Sequence, residues 1–146
     1  MYTPFSELPD HARVWIYQAN RNLSEDEKRK IEDQLTSFVG MWQAHGADLV
    51  GSFKILYNRF IVLAVDTATN IPTGCAIDKS VDVLRDLGKF LGIDFFDRLN
   101  IPFLEEGGHI KTIPMNKLKT FAEKGILKPE SITFDNLVDT KGKLEN

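Results

Sequence analysis

FKILYNRFIVLAVD (Phe53–Asp66) joins two runs of different patterning through a short polar break. In the first run Phe53, Ile55 and Tyr57 alternate with Lys54 and Leu56, the period of two expected of a strand. The break, Asn58-Arg59, reads as a tight turn, because Asn tolerates positive φ. The second run, Phe60–Val65, is apolar at every position. A strand without a polar face belongs in the middle of a sheet, covered on both sides. The pair is therefore expected to be a hairpin whose second strand is central.

Upstream lies the clearest helix, NLSEDEKRKIEDQLTSFVGMWQAHG. Ser24 and Glu27 have the spacing of a capping box, and Glu25, Asp26 and Glu27 suit the positive end of the helix dipole. Ile31, Leu35, Phe38, Val39 and Trp42 then recur at spacings of three and four, and Gly46 is the expected stop. Before that helix, RVWIYQA (Arg13–Ala19) reads as a strand with apolar residues on both faces. Trp15 and Tyr17 on it read either as a stacking platform for a ligand on an open sheet face or as core or dimer contacts. Downstream, a loop is expected from Thr67 to about Asp78. A second helix follows, with Val83, Leu84, Leu87, Phe90 and Leu91 inward and Gly92 at its end. DFFDR (Asp94–Arg98) reads as a turn with local ion pairs and a buried Phe95 or Phe96. Then come a strand at IPFLEE (Ile101–Glu106), a Gly107-Gly108 turn and HIKTI. A short helix is expected from Pro114 to Gly125, a weak strand at Ser131–Val138, and a frayed end.

The order strand, helix, strand, strand, helix, strand predicts an α+β chain with the ferredoxin-like βαββαβ arrangement. Its antiparallel sheet would carry both helices on one face, followed by a C-terminal hairpin and helix extension. The opposite face needs a cover, from the C-terminal helix or from a second subunit. The expectation is one domain over residues 1–146, with its core at about 13–106 and the extension at about 107–146. A homodimer is the expected assembly.

The totals narrow the function. The chain has 146 residues, 42% apolar and 27% charged, with ten phenylalanines and a net charge of −3. That length suits a single core without staples. The acidic balance argues against nucleic-acid binding, and the five lysines from Lys111 to Lys128 read as a solvated face. A single cysteine makes neither an internal disulfide nor a Cys-based zinc site, which favours a reducing compartment. The N-terminus lacks the pattern of a signal peptide. No apolar run approaches the ~20 residues of a membrane helix. A cytoplasmic protein without membrane insertion, metal or cofactor is expected, with an unknown small-molecule or protein ligand. His11 and His109 show no metal spacing with His45.

TGCAIDKS (Thr73–Ser80) holds that cysteine. Gly74 to Ser80 gives G-x-x-x-x-K-S, which is the phosphate-binding pattern without its second glycine. Thr73, Gly74, Lys79 and Ser80 are thus candidate ligand-binding residues, although Asp78 would place a negative charge among phosphate oxygens. A second reading makes Cys75 a thiolate stabilised by a helix N-terminus. His45 would be its base, at the end of the first helix, with Asp78 or Asp66 orienting the imidazole. Cys75, His45 and Asp78 are the catalytic candidates on that reading. A third makes Cys75 a small buried hydrophobe, with Asp78 or Ser80 capping the helix.

Taken together, RVWIYQANR, MWQAHG, FKILYNRFIVLAVD, GCAIDKSV, DFFDR and NLVDTKG resemble a family of small uncharacterised bacterial proteins. Its members often carry the label "ABC transporter ATPase". The resemblance runs from about Phe5 to Glu145. The label implies ATP binding and hydrolysis, and the chain departs from it at the missing glycine, in lacking a convincing signature motif, and in its length. The reading that best fits the residues is a binding or interaction protein that self-associates. The alternatives are a thiol-dependent enzyme or redox sensor at Cys75 and a nucleotide-binding protein.

Overall fold

A computed structural model describes residues 1–97, 100–104, 110–117, 123, 132–133 and 137–145. The chain is a mixed α+β fold with an antiparallel central sheet of order β1-β5-β4. Its strands are β1 (Arg13–Gln18), β4 (Gly51–Leu56) and β5 (Phe60–Val65); α1 (Glu25–Met41) lies between β1 and β4, and α2 (Gly74–Leu91) follows β5. Two short strands, β2 (Gln43–Ala44) and β3 (Ala47–Asp48), form a small hairpin after α1. Beyond α2, β6 (Asn100–Leu104) pairs with β7 (Ile110–Pro114) and β8 (Ile132–Thr133) in a separate sheet, and α3 (Lys141–Leu144) closes the described chain. β6 is the strand expected at Ile101–Glu106. It does not join β1, so the described central sheet has three strands where four were expected.

β5 is central, as its sequence requires. All six of its residues are buried, and it pairs with β1 on one edge and β4 on the other. Ile61 and Leu63 face α1 and α2, against Ile31, Leu35, Leu84 and Phe95. Val65 continues that layer with Val39, Trp42 and Ala76. Val62 and Ala64 face the other way, onto Phe5, Leu8 and Ala12 with Leu144 beside them. The second face is therefore covered from within the chain, by the N-terminal segment and α3. Lys141 fastens this cover. It is buried, and its ammonium donates to the Leu8 carbonyl at 2.6 Å.

Several boundaries differ from expectation. α1 ends at Met41, and Gly46 is part of a turn rather than a helix stop. His45 (φ 54°) and Gly46 (φ 75°) both adopt positive φ between β2 and β3, the geometry of a two-residue hairpin turn. The β4–β5 turn sits one residue earlier than expected. Tyr57 and Asn58 carry the positive φ values, and the Arg59 N–H donates to the Leu56 carbonyl at 3.0 Å. Arg59 is consequently free to turn inward, and its guanidinium bonds the Ala19 carbonyl at 2.9 Å. α2 begins at Gly74, with the Thr73 hydroxyl as its cap, so neither Asp78 nor Ser80 caps it. It ends as expected at Gly92, whose φ of 69° favours glycine. Phe90 points outward, 72% exposed, with the Lys30 ammonium over its ring. Pro114 ends β7, and a 3-10 turn, Met115–Lys117, follows. Apart from Glu123, the remainder of the helix expected to Gly125 lies outside the described residues, as do the Gly107-Gly108 turn and residues 131 and 134–136 of the weak strand, of which Ile132–Thr133 forms β8. In place of a frayed end, Lys141–Leu144 is helical and capped by Thr140.

The start of α1 forms the capping box its sequence announces. The Ser24 hydroxyl accepts from the Glu27 N–H, and the Glu27 carboxylate accepts from the Ser24 N–H at 2.9 Å. Arg21 grips the same carboxylate with both terminal nitrogens, at 2.8 and 2.6 Å. Hydrogen bonding from Arg21, with help from Ser24, holds the Glu27 carboxyl down to about 2 against the opposing effect of partial burial. A depressed carboxyl contributes stability above its unfolded value and loses it as pH falls through its folded one. We expect Glu27→Ala to cost about 1 kcal/mol at pH 7, by urea unfolding. The gap between wild type and variant should close as pH falls from about 4.5 towards about 2.

Candidate functional site

Antiparallel pairing sends alternate backbone groups of a strand to opposite edges. In β1 the odd residues bond β5, and the Ala19 N–H continues the series to the Arg59 carbonyl at 2.8 Å. Val14, Ile16 and Gln18 therefore turn their N–H and C=O groups to the outer edge. Two short bridges close its ends. The Val14 N–H donates to the Asp139 carbonyl at 2.9 Å, within an antiparallel bridge of Arg13 with Thr140. The Gln18 carbonyl accepts from the Asp97 N–H at 3.3 Å, within a parallel bridge of Gln18 with Phe96. Between the bridges, the N–H and C=O of Ile16 and the C=O of Val14 have no partner among the described residues.

A groove of about 530 Å3 follows this open stretch. Its floor is β1 from Arg13 to Tyr17. Its wall is one stripe of α2, Ile77, Val81 and Arg85, four residues apart on one helix face. Phe96 closes one end and Leu137–Asp139 the other. Aromatic contacts fix the floor: the Trp15 ring lies 6.1 Å from that of Trp42, and Tyr17 meets Phe96 edge-on at 5.6 Å. Trp15 and Tyr17 thus lie on the helix-covered face, at its margin, and not on an open face. Leu137 is 90% exposed at the mouth. Among the described residues the charged groups of the lining are Arg13, Arg85 and Asp139. Arg13 lies over the Trp15 ring at 4.8 Å, and Asp139 pairs with Lys143 at 3.1 Å. Arg85 lies over Phe96 at 5.7 Å and makes an exposed contact with Asp82 at 3.5 Å.

The residues singled out around Cys75 are not assembled into a constellation. Gly74 to Ser80 forms the first two turns of α2 rather than a loop. The Thr73 hydroxyl is used in capping. Ser80 is buried, its hydroxyl donating to the Ile77 carbonyl at 2.6 Å. Cys75, Asp78 and Lys79 are exposed along the outer side of this turn. Cys75 is thus not the buried hydrophobe of the third reading; Ala76 takes the buried place beside it. His45 sits on the β2–β3 turn, not at a helix end. Cys75, His45 and Asp78 share no hydrogen bond or ion pair among the described residues. Asp66 does not orient His45; its Oδ1 lies 3.3 Å from His11 Nε2 and accepts from the Ala68 N–H. Among the described residues, no group of three or more His, Cys, Asp or Glu side chains could hold a metal ion, and His109 lies outside them. No helix of the described residues is long and apolar enough to cross a membrane.

Two features of the groove escaped sequence reading. The Ile77/Val81/Arg85 stripe was hidden by the stronger stripe of Leu84 and Leu87, although its spacing of four was visible. Of the alternatives Phe95 and Phe96, Phe95 is the buried one, and nothing in the sequence placed Phe96 at the end of a groove. The chain matches no family model, no curated protein and no solved structure.

Because the Cys75 side chain is exposed, its alkylation needs no unfolding. Iodoacetamide at pH 8 should label native and urea-unfolded protein at rates within about tenfold of each other. A thiol that reacts only after unfolding would contradict its placement.

Proposed function

We propose that this protein is a binding module whose working surface is the groove along the open edge of β1. The observation that supports the reading is the pair of unmade main-chain bonds at Ile16 beside an apolar trough. An exposed strand edge is a template for another chain, and adding a strand to such an edge is a recurring mode of peptide recognition. On this reading the frame is ferredoxin-like, the unfilled stretch of β1 being where the fourth strand of that arrangement would pair. The groove between α1 and α2, about 500 Å3 around Phe90, Lys30 and Asp86, offers side chains but lies against helices whose backbone bonds are already made. It is the better surface for self-association.

The exposure of Cys75 in the first turn of α2 favours one further reading, a redox-sensitive thiol. That reading requires alkylation to level off well below pH 8, the mark of a stabilised thiolate. A rate still rising at pH 8.5 removes it.

The groove reading is tested by selecting extended protein fragments displayed on phage against the wild-type protein, then measuring the recovered fragments on Val81→Lys. Lysine would place an ammonium and a longer chain in the middle of the trough. We expect at least about a tenfold loss of affinity for most selected fragments, since a blocked apolar pocket forfeits 1.4 kcal/mol or more. Fragments that bind both proteins equally would show that the working surface lies elsewhere.

A further inference from the structure

Resting on the groove reading, the geometry of the open edge narrows what can occupy it. From Val14 to Gln18 is four residue steps, about 13 Å of strand. Both ends of that length are closed in the plane of the sheet, by Phe96–Asp97 at one end and Asp139–Thr140 at the other. A second copy of the chain would bring its own β1 edge, recessed between the same two flanks. Those flanks would collide before the two Ile16 residues could pair. A long through-running strand would meet both bridges as well. A chain end has neither difficulty, because it needs one way in and stops within the gap.

The charges choose which end. An amino terminus would bring a cation to a groove that already carries two guanidiniums. A carboxyl terminus brings the complementary charge. Asp139 lines the groove beside Arg13 and offsets it there. Arg85, at the Phe96 end, is the groove cation with no acid beside it among the described lining residues, since Asp82 lies outside the groove. We infer that the groove takes the last three or four residues of a protein chain as a short strand on Ile16, with the terminal carboxylate held by Arg85.

The direction follows. The Phe96 bridge places Arg85 near the Gln18 end of β1, so the bound tail runs parallel to β1. In a parallel ladder one residue reaches two positions on its neighbour. The Ile16 N–H takes a carbonyl near the start of the tail, and the Ile16 C=O takes the N–H of its last residue. Alternate side chains of the tail then turn towards Trp15, Tyr17 and Val81, an apolar lining that suits a β-branched or aromatic residue.

The test uses three probes on the full chain: acetyl-Thr-Val-Thr-Val with a free carboxylate, the same peptide as its C-terminal amide, and the free acid N-methylated at its last residue. Binding is followed by backbone amide NMR shifts. The free acid should shift Ile16, Tyr17, Val81 and Arg85. The amide and the N-methyl peptide should each bind at least about tenfold more weakly, the factor expected for one lost bond to a charged or main-chain group. Arg85→Gln, an exposed substitution, should reduce the difference between acid and amide to under about threefold. Acid and amide binding equally well on β1 would overturn the carboxyl-terminal assignment while leaving the groove reading standing. Shifts confined to the surface around Phe90, or no shifts at millimolar peptide, would overturn the assignment outright. The fragment selection on Val81→Lys then decides separately whether the groove is a working surface.

Discussion

The fold depends on β5 having neither a free face nor a free edge. Its six residues are buried, and both of its edges are paired in register with a neighbour. An apolar strand left open would be a site of uncontrolled pairing, so the chain must supply two strands beside it and two layers over it. Each demand accounts for part of the molecule. β1 and β4 fill the edges, α1 and α2 cover one face, and Phe5, Leu8, Ala12 and Leu144 cover the other. The last layer draws on both ends of the described chain, which is why Lys141 donates to a carbonyl at Leu8, 133 positions away.

Satisfying β5 leaves an unfilled edge on β1. A strand buried on both faces needs only its own two neighbours, and those neighbours need not be paired beyond it. On β4 the outer side meets the N-terminal segment, through the bridge of Tyr2 with Gly51. On β1 the strand that could have filled the edge turns away. The Gln18 side chain is part of the reason. It is buried and donates to the Asn100 carbonyl at 3.1 Å, fastening the start of β6 beside β1 while β6 itself pairs with β7. Among the described residues the outer edge is touched only at its ends, and Ile16 stays open between them.

How much of this could be read from the sequence follows from where the information lies. The apolar run Phe60–Val65 carries its own burial, so the centre of the sheet was legible. So were the capping box at Ser24 and Glu27 and the left-handed stop at Gly92, each a local rule. Less legible were choices between two local rules of similar strength. Gly46 reads as a helix stop by the local rule, yet it lies on a hairpin turn, and the tertiary bond from Trp42 Nε1 to the Ala76 carbonyl favours the chain leaving the helix early. Asp78 and Ser80 both suit a cap by the local rule, yet Thr73 caps α2 more than a turn earlier, and Ala76 then takes its buried place. Phe90 is expected inside because it is apolar, yet Leu84 and Leu87 take the buried places of α2 and Phe90 lines the surface groove between α1 and α2. The groove was the least legible of all. It depends on which strand does not pair with β1, and no residue of β1 states that.

The central claim is that the edge of β1 is open at Ile16 while the amides on either side of it are bonded. Amide hydrogen exchange measured residue by residue along β1 tests it directly. Trp15 and Tyr17 bond β5 and Val14 bonds Asp139, so their amides should be protected by the stability of the sheet. The Ile16 amide should exchange faster than those of Trp15 and Tyr17 by on the order of a hundredfold or more, since it has no bond to break. Uniform protection from Val14 to Tyr17 would mean that the edge is already paired, and the groove could not then serve as a place for another chain.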